Sequence, residues 1–475
     1  MSYNIKRYKK GKVQLKRIIL GLFILCFSLN TTFALILTDK QKAYEAILVE
    51  QIRIDEPGVA VIVSQKGKVL FKAARGLANL EHNIQLTTDS VFRLGSITKQ
   101  FTAAAIMILQ ERKKLSVDDD IHKYIPDFPT EGNKVTIENL LTHTSGIANY
   151  TEDRSIFAKE IQVPTTIDEM LVRFAQHPMK FKTGEKMRYS NTGYVLLGKI
   201  IEVVSGKSYA HFIEENIFKK LGMKSSRYGG SQIIPNRASG YNKTPDGFEN
   251  AKYTDITWHH AAGSLLSTVI DINRWFSALR NGELLSKESY QMMIKPFTLN
   301  DGSTSKYGYG LINQKINKYG IISHTGGISG FATSALYIPS EDLYVAVFSN
   351  SKDRNPIVIS KLLAVEALGI PWPKFKSIEI NSHKVESLIM HHKIESLMGR
   401  YQVKVDSVRT LSMKNGKFYF HTNTGRKLQI HPMSENSFYF ENSLNYIVIE
   451  QNEDTNKVMN IYRNLSIKPQ QAIKI

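Results

Sequence analysis

Phe92-Arg93-Leu94-Gly95-Ser96-Ile97-Thr98-Lys99-Gln100-Phe101-Thr102-Ala103-Ala104-Ala105-Ile106-Met107-Ile108-Leu109 is the stretch on which the reading of this chain turns. Beyond Gly95 it is Ala-rich, largely apolar and free of Pro and Gly, which predicts a buried helix. Gly95 lets the chain bend into that helix. Ser96 then stands at the first turn, with Lys99 three residues on and on the same face. A nearby ammonium and the positive end of the helix dipole both favour an alkoxide at the serine oxygen. That is what a nucleophile requires. The plain alternative is an N-cap serine followed by a solvated lysine. Against it, a lysine in a helix that is apolar on nearly all sides enters a covered place, and a covered cation is costly without partners.

Two further stretches bear chemistry. Tyr189-Ser190-Asn191 follows the turn signal Thr183-Gly184 and precedes apolar residues at helical spacing, with Asn191 as the expected N-cap. A phenol beside an ammonium ionises more easily, and an amide offers both a donor and an acceptor. His324-Thr325-Gly326-Gly327 lies where strand-like residues run into glycines. Such glycines allow close approach to the backbone, and an edge strand there presents free N–H and C=O groups to an extended ligand. Taken singly, each stretch also reads as structure: a capping turn with a packing tyrosine, and a Gly-rich turn with an incidental histidine.

The order Ser-x-x-Lys, Tyr-x-Asn, His-Thr-Gly resembles the penicillin-recognising serine hydrolases, and within them the class C β-lactamase-like family. Thr136 to Ile147, Ala262 to Thr268 and Tyr307-Gly308-Tyr309-Gly310 fit the same pattern, so the resemblance runs from about Val59 to Asn350. It implies an α+β fold, an antiparallel sheet flanked by helices with an inserted helical lobe. It implies Ser96 as the nucleophile that becomes acylated, and Lys99 as the group that lowers the phenol's proton affinity and relays protons. Tyr189 would be the general base in acylation and would activate water in deacylation. Asn191 would hold Lys99 and the substrate amide. His324, Thr325, Gly326 and Gly327 would form the substrate-binding strand, with the backbone N–H groups of Ser96 and Gly327 as the oxyanion hole.

His324 departs from the pattern, because it stands where lactamases of this type carry a lysine. An unperturbed imidazole is mostly neutral above about pH 6.5. The expectation is therefore less fixed positive charge, and a preference for esters, amides or D-amino-acid peptides over ligands needing a tightly held carboxylate. Thr183 also replaces a proline common before that glycine. Class A lactamases fit less well, since they want Ser-Asx-Asn and Lys-Thr-Gly. There is no Gly-x-Ser-x-Gly elbow for a lipase-type triad. No metal and no cofactor are expected: His-Glu-x-x-His is absent, and His259-His260 and His391-His392 are adjacent pairs. Three activities follow: a serine hydrolase of amide or ester bonds, a true class C-type β-lactamase, or a penicillin-binding sensor that is acylated without turnover.

The chain has 475 residues and a net charge of +19. Lys6, Arg7, Lys9, Lys10, Lys12, Lys16 and Arg17 precede an apolar run from Ile18 to Leu29 and the small-x-small site Thr32-Phe33-Ala34, which reads as a signal peptide over 1–34. Together with the resemblance to a family found mostly in bacteria, it implies export to the periplasm or cell surface of a bacterial envelope. The membrane is involved only if that segment stays uncleaved as an anchor. Cys26 is the only cysteine, so a mature chain has neither disulfide nor thiol chemistry. The lysines are dispersed without a basic and aromatic module, so nucleic acid is not an expected partner. The partner is instead a small-molecule or peptide substrate, with the cell wall as one source. The hydrolase domain is read at 37–372, closing at Pro371-Trp372-Pro373, a linker at 373–396, and a small β-barrel-like or sandwich domain at 397–475. Tyr150, Trp258 and Arg237 to Tyr241 are secondary candidates for the pocket wall.

Overall fold

The computed structural model of the chain describes residues 38–153, 160–371, 385–405, 407–440, 443–452, 456–466 and 468–475. The expected signal peptide and the first part of the expected linker lie outside these residues.

A six-stranded antiparallel sheet forms the centre of the hydrolase-like part. Its strands are β1 (Val59–Gln65), β2 (Lys68–Arg75), β3 (Ile312–Ile316), β4 (Tyr319–Ile328), β5 (Phe331–Ile338) and β6 (Leu343–Ser349), in the spatial order β3-β4-β5-β6-β1-β2. Early and late segments therefore meet inside one sheet, with β1 against β6 from Val59↔Ser349 to Gln65↔Leu343. The β1–β2 hairpin turns at Lys66-Gly67, both at positive φ, which glycine tolerates readily.

The near-continuous apolar runs of β1 and β6 have a cause: both faces of the sheet are covered. Val59, Val61, Val63, Val345 and Val347 pack on one side with Ile359, Leu362 and Leu363 of helix α4 (Pro356–Ala367). Ala60, Ile62, Ala346 and Phe348 face the other side, towards helices α1 (Thr98–Glu111), α2 (Asn191–Ser205) and α3 (Val269–Asn281). Every residue of α1 from Thr98 to Leu109 is buried, as the apolar run predicts. Gly198 lets α2 lie against the short helix His260–Gly263; a Cβ there would sit 2.7 Å from that of Ala261.

Two local expectations need correction. The N-cap of α2 is Ser190, whose hydroxyl accepts from the Gly193 N–H at 3.4 Å, and Asn191 is the first helical residue. A cap side chain must turn back on its own backbone; with Ser190 doing so, the Asn191 amide is free to point elsewhere. The expected linker also contains a helix, α5 (Val385–Ser396). Its polar composition hid the apolar contact made by Ile394, which is fully buried against the domain that follows.

That domain is a closed antiparallel barrel of eight strands, running from Gly399–Lys404 to Gln470–Lys474, and Tyr401↔Lys474 joins last strand to first. Closure removes both sheet edges. Phe418, Phe420, Phe438, Ile447 and Ile461 fill its interior. It docks on the larger part through Leu444 and Leu465, buried with Ile316 and Ile359. Lys361 donates to the Asn464 Oδ1 at 2.9 Å across the same junction.

Candidate active site

Ser96 sits in a single 3-10 turn, Gly95–Ile97, that leads directly into α1. The turn is pressed against β4. Gly95 has φ +54, and a Cβ on it would come within 2.8 Å of the Gly327 nitrogen. A Cβ on Gly326 would meet the Leu94 carbonyl oxygen at 1.9 Å, and the Thr333 hydroxyl already donates to that oxygen at 2.8 Å. The glycines thus bring the serine turn and the strand into backbone contact. Gly310, at φ +67, passes behind α1, where a Cβ would lie 2.7 Å from the Lys99 carbonyl oxygen.

Lys99 is fully buried, and its Nζ stands 3.1 Å from the Ser96 Oγ, 2.8 Å from the Asn191 Oδ1 and 2.8 Å from the Ala262 carbonyl oxygen. Two of these partners can only accept. The hydroxyl can accept from an ammonium or donate to an amine, so the geometry accommodates either protonation state. Burial pushes the Lys99 pKa well below the ordinary lysine value, which favours the amine. Nζ also lies 4.8 Å from the centre of the Tyr189 ring.

Tyr189 faces Ser96 from the loop before α2. Burial raises its pKa above the ordinary tyrosine value, and a hydrogen bond with the Ser96 hydroxyl opposes that rise in part. Burial thus works against the expected lowering of the phenol, raising the Tyr189 pKa while it lowers that of the neighbouring Lys99. Asn191 holds Lys99 through Oδ1 and donates through Nδ2 to the Thr151 hydroxyl at 3.3 Å.

The strand carries the larger surprise. Beyond Ser323, β4 has no strand partner on its β3 side among the described residues, so residues 324–328 form a half-edge beside the cleft. The His324 side chain is nonetheless turned into the protein and is only 2 % exposed. Its Nδ1 donates to the Thr325 carbonyl oxygen at 2.7 Å, so Nε2 accepts from the Tyr307 hydroxyl at 2.8 Å. Burial, with Lys99 nearby, pushes its pKa down to about 3. His324 is a neutral member of an aromatic cluster behind Tyr189, in which the His143 ring packs 4.3 Å from Tyr189 and 4.5 Å from Tyr307. His143 Nδ1 accepts from the Ser190 N–H at 3.1 Å, tying this cluster to the loop.

A cleft of about 440 Å³ opens over Ser96. Gly95, Ser96, Asn191, Gly263 and Gly327 line it, with Tyr150 and His259. His324, Thr325 and Gly326 do not. The expected scarcity of fixed positive charge is also corrected: Lys252 and Lys352 line the cleft. They come from loops with no motif, and only their neighbours in space give them meaning. Tyr150 reaches the wall by donating to the Trp258 carbonyl oxygen at 2.6 Å, whereas Trp258 itself is buried behind it. His143 and Tyr307 lie in the segments Thr136 to Ile147 and Tyr307 to Gly310, where nothing in the local pattern marks a role for them.

Two expected results arise here. His324→Lys should place an unpaired cation in a buried site close to Lys99, at a cost on the order of 3 kcal/mol. The melting temperature should fall, with no rise in penicillin turnover relative to simple esters; a gain in that ratio would restore the histidine to the substrate face. The second concerns acid. Burial holds His259 and His324 near a pKa of about 3 and His260 at about 4, and pushes His143 well below the usual range. The unfolded chain binds protons at these sites below about pH 6.5 and the folded chain does not. Stability is thus complete above that pH and is lost as pH falls towards the folded values. Urea midpoints should drop steeply from pH 6.5 to 4; a flat profile would show that these rings titrate normally.

A sequence model of the family described as Beta-lactamase matches residues 46–368. The chain is 30% identical over 422 residues to a penicillin-binding protein of Bacillus subtilis (strain 168), covering 85% of this chain and 92% of that one. It is 27% identical over 331 residues to a D-aminopeptidase of Gluconobacter oxydans (strain 621H), covering 69% and 62% respectively. Among solved structures, the octameric penicillin-binding protein homologue from Pyrococcus abyssi superposes with a TM-score of 0.65 at 26% identity, over 92% of this chain and 100% of that chain.

Proposed function

From the premise that this chain belongs to the beta-lactamase family and is a serine hydrolase of that fold, we propose that it cleaves amide or ester bonds of D-amino-acid compounds through an acyl-enzyme on Ser96. One observation carries the reading: a buried Lys99 with Nζ 3.1 Å from the Ser96 hydroxyl, beside an open cleft. The D-aminopeptidase among the relatives supports the substrate class. The sequence of residues 1–34 supports export, and with it action in a bacterial envelope.

The proposed steps follow from the proton positions. The Ser96 Oγ adds to the carbonyl carbon while its proton passes to the Lys99 amine. The oxygen that gains charge takes the N–H groups of Ser96 and Gly327. As the carbon–nitrogen or carbon–oxygen bond breaks, the Tyr189 phenol protonates the leaving group. The Lys99 ammonium then returns a proton to the phenolate, leaving the amine free. In deacylation a water replaces the leaving group, gives up its proton by the same route, and Ser96 recovers its own. Asn191 positions Lys99 throughout.

The purified protein, given D-alanine p-nitroanilide, p-nitrophenyl acetate and nitrocefin in parallel, tests this. Peptide mass mapping after rapid acid quenching reads the acylated residue. The expected result is an acyl group on the peptide holding Ser96, with the anilide or ester turned over faster than nitrocefin. Faster nitrocefin turnover would make it a β-lactamase, and a penicillin adduct stable for hours without turnover of any substrate would make it a sensor. An adduct elsewhere would remove Ser96 from the mechanism.

A further inference from the structure

A second cavity, of about 560 Å³, lies across one strip of chain from the catalytic cleft. The strip is Tyr253-Thr254-Asp255: Tyr253 lines both spaces, Thr254 lines the cleft, and Asp255 lines the second cavity. Two guanidiniums face this cavity. Arg93 comes from the short strand Phe92–Arg93, just before the serine turn, and Arg237 lies alongside, bridged to Val91. Their charges repel, and burial together with that repulsion lowers the Arg93 pKa.

Arg93 feels the Asp255 carboxylate as well as the Arg237 guanidinium, so the three groups together keep one positive charge in excess. Arg93 Nη1 donates only weakly, to the Thr254 carbonyl and hydroxyl oxygens at 3.4 Å each. Asp255 is the one acid lining the cavity among the described residues, and its carboxylate is engaged. It accepts from the Thr257 N–H at 3.0 Å, the Thr257 hydroxyl at 2.6 Å and the Tyr253 hydroxyl at 2.9 Å. With Asp255 tied to Thr257 and Tyr253 and giving Arg93 no hydrogen bond among the described residues, an entering anion would offset the charge in excess and supply the charge-assisted hydrogen bonds that Arg93 lacks. The cleft on the other side of the strip carries Lys252 and Lys352 and no carboxylate among its described lining residues. The field is positive on both sides of the wall, which draws anions towards it.

We propose that Arg93 and Arg237 form an oxyanion subsite beside the catalytic cleft, receiving a carboxylate or phosphate carried by the substrate several bonds from the scissile carbonyl. This rests on the cleft over Ser96 being the place of reaction. The subsite supplies the ionic grip that His324 does not provide. It selects acyl donors with an acidic far end over neutral ones of equal length.

Two esters of equal length test it, the p-nitrophenyl monoester of pimelate and p-nitrophenyl heptanoate, which differ in one terminal carboxylate. The readout is the ratio of their kcat/KM values. In the wild type the pimelate ester should be favoured by about tenfold, the worth of one charged hydrogen bond. Arg237→Gln, at an exposed position, should remove most of that preference through KM, and Arg93→Gln should do the same where circular dichroism shows a folded chain. Inorganic phosphate should compete with the pimelate ester and not with heptanoate. An unchanged ratio in Arg237→Gln overturns the proposal. So does phosphate altering heptanoate turnover through Arg237, which would make the pair a site for a free anion rather than a substrate group. If neither ester is hydrolysed, the failure lies with the hydrolase reading. The anion site is then read by thermal shift with inorganic phosphate, and equal shifts in wild type and Arg237→Gln overturn it.

Discussion

Ser96→Ala is expected to lower kcat/KM on any substrate the protein turns over by about a thousandfold or more, and to abolish the covalent adduct. Loss of a serine nucleophile leaves only binding and oxyanion stabilisation, which together retain a small part of the catalysis. The variant should fold normally. Ser96 is half-buried in a 3-10 turn where its side chain caps no backbone group, and alanine suits a helix start next to α1. The Lys99 amine keeps its carbonyl partners Asn191 and Ala262. Intact mass after exposure to a penicillin, together with initial rates, decides the matter. Rates within tenfold of the wild type would mean that another group attacks the carbonyl.

Lys99→Met should be nearly as damaging. Methionine keeps much of the length and volume of the lysine stem but cannot take the serine proton, and loss of a positioned base costs about a hundred- to ten-thousandfold. The wild-type pH profile should carry the signature of the same group. Burial lowers the Lys99 pKa, so the amine is present at pH values where an ordinary lysine is charged. The acid limb of kcat/KM should thus lie well below the usual lysine range, with activity rising as the proton leaves, and this limb should vanish from any residual activity of Lys99→Met. Circular dichroism guards against misfolding, because the substitution leaves the Asn191 Oδ1 and the Ala262 carbonyl oxygen without their donor, at about 1–3 kcal/mol each. Substantial activity with an intact acid limb would reassign the proton acceptor.

Both results depend on a small cluster whose members come from distant parts of the chain, and they were unequally legible in the sequence. Ser96 and Lys99 were legible because helical geometry alone places residues three apart on one face. The closing β domain was legible because short apolar runs broken by turn residues have few other readings. The helix α5 was hidden, since a mixed polar segment shows its apolar contact only once there is something to pack against. Asn191 was found, but its place as first helical residue depends on Ser190 taking the cap. The orientation of His324 was misread. Alternation along a strand says which side a residue faces, and the identity of that side is set by the packing of Tyr307, His143 and Tyr189 around it.

Spacing along the chain by itself determined that a hydroxyl and an amine share one helical turn, and that glycines mark the strand they meet. Folding alone decided what those groups are chemically. It brings Asn191 and Ala262 to Lys99 across 92 and 163 positions of sequence, removes water from around the amine, and turns the imidazole of His324 away from the cleft while lysines from unmarked loops enter it. The reason is physical: local periodicity records which face of an element is apolar, whereas desolvation and the charge felt at a site depend on neighbours that only the tertiary arrangement supplies.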